Sequence, residues 1–245
     1  MKTAVIIPTY NEAENLEILV EKILESASTR GDSSTRGGLK LIVVDDNSPD
    51  GTGKIADKLS LKYKNKIIVI HREGKIGLGT AYKEGFKKAI KTGADVFVTM
   101  DADLSHNPLV IPKLINLLKY CDVAIGSRYV VDGQIIGFNV WRKILSGVAQ
   151  LLSRSLLGIK VKDSTSAYRA YKKNVINSID LENIKSDGYS FLIEVIYRCL
   201  RKDYKVKEIP ITFGLREGGV SKISKKEIYK SLVTIFRLKL TSLFS

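Results

Sequence analysis

Five short apolar runs rich in β-branched residues alternate with amphipathic segments over the first half of the chain, and this alternation restricts the fold more than any other feature. The runs are Thr3 to Pro8, Leu39 to Asp45, Ile67 to His71, Val96 to Met100 and Asp122 to Ser127. Between them, Glu12 to Ser26, Thr52 to about Lys64, Thr80 to Thr92 and Leu109 to Lys119 carry apolar residues at helical spacing, with Thr52 placed as an N-cap. Strands and helices in that order predict a mostly parallel sheet covered by helices on both faces, and 245 residues suffice for one such α/β domain. Each run also ends in a polar loop: Pro8 to Glu12, Asp45 to Thr52, Arg72 to Gly79, Asp101 to Asn107 and Gly126 to Tyr129. In a parallel sheet these loops share one edge, where open α/β folds bind ligands.

The fourth loop has the sharpest chemistry. The run V-F-V-T-M stops at Asp101-Ala102-Asp103. In an extended chain residues i and i+2 point the same way, so the two carboxylates share one spot while Ala102 faces away. Two close carboxylates call for a cation, and an oxygen-only site suits Mg²⁺ or Mn²⁺. Taken alone, Asp-x-Asp is also a common helix cap and turn. Convergence with four other polar loops favours a phosphate-bearing ligand held through a metal.

The second half is less regular. Val140 to Leu157 and Tyr189 to Arg201 read as helices, Asp163 to Tyr171 as a turn entering a strand, and Tyr204 to Phe213 as a strand. Residues 28 to 37, with S-T-R-G twice, and Leu215 to Lys222 read as mobile loops. Lys225 to Phe244 reads as a basic amphipathic helix. The expected organisation is a catalytic domain over 1–223 and a membrane-associating helix over 224–245. A net charge of +14 calls for an anionic partner, although many of the lysines fit a solvated surface. Cys121 and Cys199 lie in apolar surroundings without metal-ligand spacing and read as reduced core residues. No stretch is long and apolar enough to span a bilayer, and Met1-Lys2 leads straight into a strand instead of a signal peptide. A cytoplasmic protein, peripheral on the cytoplasmic face of a membrane, is expected.

Together, P-T-Y-N-E at Pro8, D-D-N-S-P-D-G-T at Asp45, G-L-G-T-A-Y at Gly77, D-A-D-L-S-H at Asp101, G-S-R-Y at Gly126 and the R-x5-K pair Arg216/Lys222 resemble dolichol-phosphate mannose synthases. These belong to glycosyltransferase family 2 and have the nucleotide-sugar-binding GT-A fold. The resemblance runs from Thr3 to about Lys222. The chain carries T-S-A-Y-R at Thr165 where family members often have T-S-G-F-R, and Ser105 where some relatives have a metal-binding Gln.

The resemblance implies transfer of mannose from GDP-mannose to a dolichyl or polyprenyl monophosphate, with inversion at the sugar C1. Pro8, Tyr10, Glu12, Val44 and Asp46 are then expected around the guanosine. Asp101, Ala102 and Asp103 are expected to hold the ribose, diphosphate and metal, with Ser105 in the metal shell. Arg128 is expected at the donor sugar or diphosphate, with Asp103 and Arg128 as the catalytic pair, and Arg216 and Lys222 closing over the donor. A phosphate monoester has a second pKa of about 6 and brings its own charge, so no catalytic base is expected, and His71 and His106 are assigned structural roles. Arg142 and Ser146, one helical turn apart, are expected to clamp the acceptor phosphate. The Val140 and Lys225 helices either face an acidic bilayer or simply pack on the sheet, and a small membrane-anchoring subunit is a further expected partner. The competing functions are glucose transfer from UDP-glucose to the same lipid, nucleotidyl transfer, and nucleic-acid binding. The last two are disfavoured by P-T-Y-N-E in place of a triphosphate loop and by scattered basic residues without a nucleic-acid motif.

Overall fold

The computed structural model describes residues 1–28, 38–137, 140–214 and 225–241. Strands β1 (Thr3–Thr9), β2 (Leu39–Asp45), β3 (Ile67–His71), β4 (Val96–Thr99) and β5 (Val123–Ser127) alternate with helices α1 (Leu16–Ser28), α2 (Thr52–Lys62), α3 (Leu78–Lys91) and α4 (Ile111–Leu117), as the sequence pattern requires. A short strand β6 (Gln134–Ile135) leads to helix α5 (Val140–Leu157), strand β7 (Arg169–Lys172) and helices α6 (Lys173–Ser178) and α7 (Tyr189–Arg201). Strands β8 (Val206–Pro210) and β9 (Thr212–Phe213) and helix α8 (Lys225–Thr241) complete the described chain.

The main sheet has seven strands in the order β3-β2-β1-β4-β7-β5-β8, with β7 antiparallel to both neighbours and every other pair parallel. The ends of β1 to β5 therefore lie along one edge. Both faces of the sheet are covered, so successive strand residues such as Ala4, Val5, Ile6 and Ile7 are all fully buried, alternating between two apolar layers. Helix α3 lies close on β1: a methyl group on Gly85 would fall 2.3 Å from Ile6 Cγ2. That approach sets where the first turn of α3 meets the sheet edge.

Four details depart from the sequence pattern. Helix α2 is capped by Gly51 in the left-handed region, at φ 92°, and not by Thr52. Thr52 is instead the first helical residue, and its hydroxyl donates to Asp50 while accepting from the Glu12 N–H. The long strand expected over Tyr204 to Phe213 divides at Ile211, whose N–H donates to Ser127 and whose carbonyl accepts from Gln134, so β9 pairs with β6 in a separate ribbon. The third detail is that β4 stops at Thr99, so Asp101 to Leu104 form a bend, with Leu104 at φ 60°, and not an extended strand end. Lastly, β6 and α6 carried no sequence signal long enough to register. The loops expected over 28–37 and 215–222, and the last turn of the terminal helix beyond 241, lie essentially outside the described residues.

Candidate active site

A cleft of about 600 Å³ opens at the shared edge of the strands. Pro8, Thr9, Tyr10 and Glu12 come from the end of β1, Asp46 from β2, Lys75 to Leu78 from the loop after β3, and Asp101 to Asp103 from the bend after β4. The far wall is Asp187, Gly188 and Tyr189 at the start of α7, together with Ala81 of α3 and Lys230 of α8. Four of the five convergent loops thus line one cavity. The fifth, at Gly126 to Tyr129, stands beside it.

Asp103 is buried, and its carboxylate accepts from both the Ser105 hydroxyl at 2.5 Å and the Ser105 backbone N–H at 3.2 Å. Asp101 is a quarter exposed, and its N–H donates to His106 Nδ1 at 3.1 Å. The His106 ring is itself held between Tyr168 and Phe213. The bend, not strand alternation, therefore turns both carboxylates into the cleft, and Ala102 lines it too instead of facing away. Two carboxylates with a hydroxyl alongside are a hard oxygen donor set, short of a full shell, which fits Mg²⁺ or Mn²⁺ completed by water and substrate phosphate. Among the described residues no cluster of three or more His, Cys, Asp or Glu competes for a metal.

The β2–β3 end of the cleft is preorganised by Arg72, a residue that sequence reasoning placed only in a loop. Its buried guanidinium donates to Asp46 Oδ1 at 2.5 Å, to the Gly77 carbonyl and to Thr80, and pairs with Glu84. Burial pushes the Asp46 carboxyl above its ordinary value, outweighing the pull of Arg72. Lys75 sits over the Tyr10 ring, 4.1 Å from its centroid. Val44, expected beside the base, points into the apolar core toward Gly85 and does not line the cleft.

Arg128 lies outside the cleft lining. Its Nε and Nη2 both reach Asp163 at 2.8 Å, and Nη2 also donates to Thr165. Asp163 is fully buried, which opposes its ionisation, but Arg128 outweighs that and holds the carboxyl below its usual range. This occupied fork is a different environment from the open donor contact that was expected, and Asp163 and Thr165 were not anticipated as its partners. Ser146 accepts a hydrogen bond from the Tyr129 hydroxyl at 2.6 Å. The Arg142 side chain, Arg216 and Lys222 lie outside the described residues. His71 is exposed on β3, paired with Asp57 and away from the cleft.

The model of the family described as "Glycosyl transferase family 2" matches residues 4–180. The chain belongs to glycosyltransferase family 2. It is 41% identical over 235 residues to the polyprenol monophosphomannose synthase of Mycolicibacterium smegmatis, covering 96% of this chain and 85% of that protein. It is 39% identical to the undecaprenyl-phosphate mannosyltransferase of Micrococcus luteus, over 97% of this chain and 93% of the relative. Similarity to the dolichol-phosphate mannosyltransferase of Pyrococcus furiosus is 43% over 97% of this chain but only 64% of the relative. Among solved structures, a mannosyltransferase from Pyrobaculum calidifontis in complex with GDP-Man and Mn²⁺ superposes with a TM-score of 0.57 at 13% identity, covering 100% of this chain and 75% of that one. S. aureus TarS in complex with UDP superposes at 0.59 and 17% identity, over 97% and 65% of the two chains. The fold of this family 2 enzyme is GT-A-like.

Sequence reasoning missed the far wall of the cleft. Asp187 Oδ1 accepts from the Gly79 N–H at 2.9 Å, so it caps the start of α3, while its other oxygen lies 3.4 Å from Lys230 Nζ. The sequence hint was Asp187-Gly188 immediately before a helix, a pattern that signals a helix start but not a wall.

Proposed function

We propose that this enzyme transfers mannose from GDP-mannose to a polyprenyl monophosphate, releasing GDP and forming a β-linked mannosyl phospholipid. The observation that carries the proposal is near-full-length similarity, at about two residues in five, to relatives named for mannose transfer to polyprenyl phosphates. The cleft supports it on chemical grounds. Tyr10, Glu12 and Asp46 would border the guanosine, and Asp101 to Asp103 the ribose and diphosphate. Arg128 would bear on the sugar end through the position that Asp163 gives it, and Arg216 and Lys222 would close the site from the late loop. Asp101 and Asp103, with Ser105 behind Asp103, would hold Mg²⁺ or Mn²⁺, and a divalent ion there supplies positive charge against the diphosphate as it departs.

The acceptor phosphate needs orientation more than deprotonation, because its second pKa of about 6 leaves it largely dianionic at neutral pH. Arg142 and Ser146 on α5 would hold it. Attack on C1 from the side opposite GDP inverts the anomeric centre.

A lipid acceptor also needs an apolar surface beside the site, and α5 and α8 offer one in an unusual way. Helix α8 buries Ser231 and Thr234 along with Ile235 and Leu238, yet exposes Val233, Phe236 at 56% and Leu240 at 58%. Helix α5 buries Gln150 and Ser153 and exposes Val148 and Leu151, the latter at 64%. The two helices pack on one another and α8 packs on α7, so α8 belongs to the catalytic body. Small polar residues inward and large apolar ones outward suit a bilayer surface better than water. No described helix is long and apolar enough to cross a membrane, so the enzyme would lie on the surface.

Purified protein supplied with GDP-mannose, Mg²⁺ or Mn²⁺ and a polyprenyl phosphate should form a mannosyl lipid. Asp103→Ala should lower turnover at least about 10³-fold, on the order of losing one preorganised electrostatic group. Product with UDP-glucose but not GDP-mannose would overturn the donor assignment, and turnover insensitive to a chelator would overturn the metal.

A further inference from the structure

One face of α5 carries the half-buried Ser146 and the buried Gln150 and Ser153, spaced four and three residues apart. Two of these side chains are tied to the Arg128 loop by closed hydrogen-bond paths. Ser146 Oγ accepts from the Tyr129 hydroxyl at 2.6 Å, and Tyr129 is the chain neighbour of Arg128. One turn further along, the Gln150 amide donates to Thr165 Oγ1 at 2.7 Å, while its carbonyl accepts from the Ser164 N–H at 2.8 Å and the Ser164 hydroxyl at 2.7 Å. Thr165 Oγ1 accepts from Arg128 Nη2 at 2.8 Å, and Arg128 in turn grips Asp163. Gln150 is almost wholly buried with both ends of its amide engaged, which is costly to arrange unless each bond is made.

We infer that Tyr129 and Gln150 are positioning residues that set the distance between Ser146, at the acceptor phosphate, and Arg128, beside the donor sugar. The inference rests on the acceptor role proposed above for α5. Transfer requires the phosphate oxygen and C1 to meet at about 3–3.5 Å in line with the departing diphosphate, and a misplacement of about 1 Å can cost 10²-fold. The phosphate is held from α5 and the sugar end is held from the loop after β5, so something rigid must join the two elements. Tyr129 joins them at one turn of α5 and Gln150 at the next. The contact between the Tyr129 and Ser146 hydroxyls leaves one further lone pair or proton on Ser146 for the acceptor phosphate. Neither residue touches a reacting atom. Their effect is on register.

Tyr129→Phe keeps the ring beside Arg128 and deletes only the hydroxyl. It should lower kcat/KM for the polyprenyl phosphate about tenfold, the size of one hydrogen bond, with donor KM and Tm unchanged. Gln150→Met should do the same, with a lower Tm because Ser164 and Thr165 lose partners. Wild-type acceptor kinetics in Tyr129→Phe, or a rise in donor KM equal to that for the acceptor, would overturn the inference. Absence of mannosyl transfer by the wild-type enzyme would instead overturn the proposed activity. In that event equilibrium binding of a short prenyl monophosphate decides: weaker binding by Tyr129→Phe than by wild type supports the inference, and equal binding overturns it.

Discussion

The two sides of the cleft are built on different principles. On the strand-edge side, four parallel strands with apolar residues on both faces deliver their loops to one edge, and each of their cleft-lining groups follows within a few residues of the strand that places it. On the α5 and α8 side, β7 runs against its neighbours, the two helices turn polar residues inward, and charges are joined between elements. Arg128 pairs with Asp163, Glu194 of α7 with Arg237 of α8, and Asp187 with Lys230. A sheet packed on both faces fixes its edge loops as a by-product of core formation. Helices α5 and α8 bury polar side chains and leave several large apolar ones outside, so they depend more on specific polar pairs, which makes them more sensitive to single substitutions.

The largest test of that contrast is Asp163→Asn. It leaves Arg128 buried beside a neutral group, and breaking one side of a buried ion pair costs about 3–5 kcal/mol. Calorimetry or chemical unfolding should show that loss at neutral pH. Burial alone would raise the Asp163 pKa, but the Arg128 pair lowers it overall. A carboxyl depressed in the folded state contributes stability above its unfolded value of about 3.9, and the contribution fades as pH falls through the lower folded value. The gap between wild type and Asp163→Asn should therefore be full at pH 6–7 and narrow below about pH 4. A gap independent of pH would mean that packing, not charge, holds the loop.

The same contrast explains how much was legible in the sequence. Strand and helix order through Ser127 followed from local periodicity, and so did the bounds of α5 and the start of α7, because each element's apolar spacing is contained within itself. The Asp101/Asp103 pair was legible as a pair of carboxylates at the cleft, although for the wrong local reason, since a bend and His106, not strand alternation, place them there. Val44 was assigned with Asp46 through the family resemblance, but Asp46 follows the end of β2 and lines the cleft, whereas Val44 lies within the strand and belongs to the core. Arg72, Asp163 and Asp187 were not assigned because their meaning lies in partners 26, 35 and 108 residues away. Local pattern carries no information about such pairs.

An intermediate effect should separate the outer faces from the inner ones. Replacing Val233, Phe236 and Leu240 together by Ser removes three large apolar groups that are already about half exposed, so stability should change by no more than about 0.5 kcal/mol per site. Binding to acidic liposomes should weaken about 100-fold in a flotation assay, taking about 1 kcal/mol for each partly inserted side chain. The converse substitution, Thr234→Ser on the buried face, should leave liposome binding untouched. If the triple variant binds vesicles as the wild type does, the exposed apolar residues of α8 serve something other than a lipid surface.

The smallest expected effect lies where the two sides meet. Asp187 stands at the start of α7 but caps α3, whose N-terminus follows the loop after β3, and it reaches Lys230 of α8 at the same time. Asp187→Asn keeps an oxygen for the Gly79 N–H and removes the charge. The carboxylate's interaction with the first turn of α3 and with a partly exposed lysine is worth about 0.3–1 kcal/mol in each case. GDP binding should therefore weaken only about two- to fivefold, a shift within reach of titration calorimetry. The direction discriminates between two roles. If Asp187 acts mainly by holding the Gly77 to Gly79 turn open for the donor, the neutral amide weakens GDP binding. If it acts mainly as a negative charge beside the diphosphate, removing it strengthens binding. The close packing of Gly77 against the Asp187 carboxylate, where a methyl would fall 2.5 Å from it, favours the first outcome.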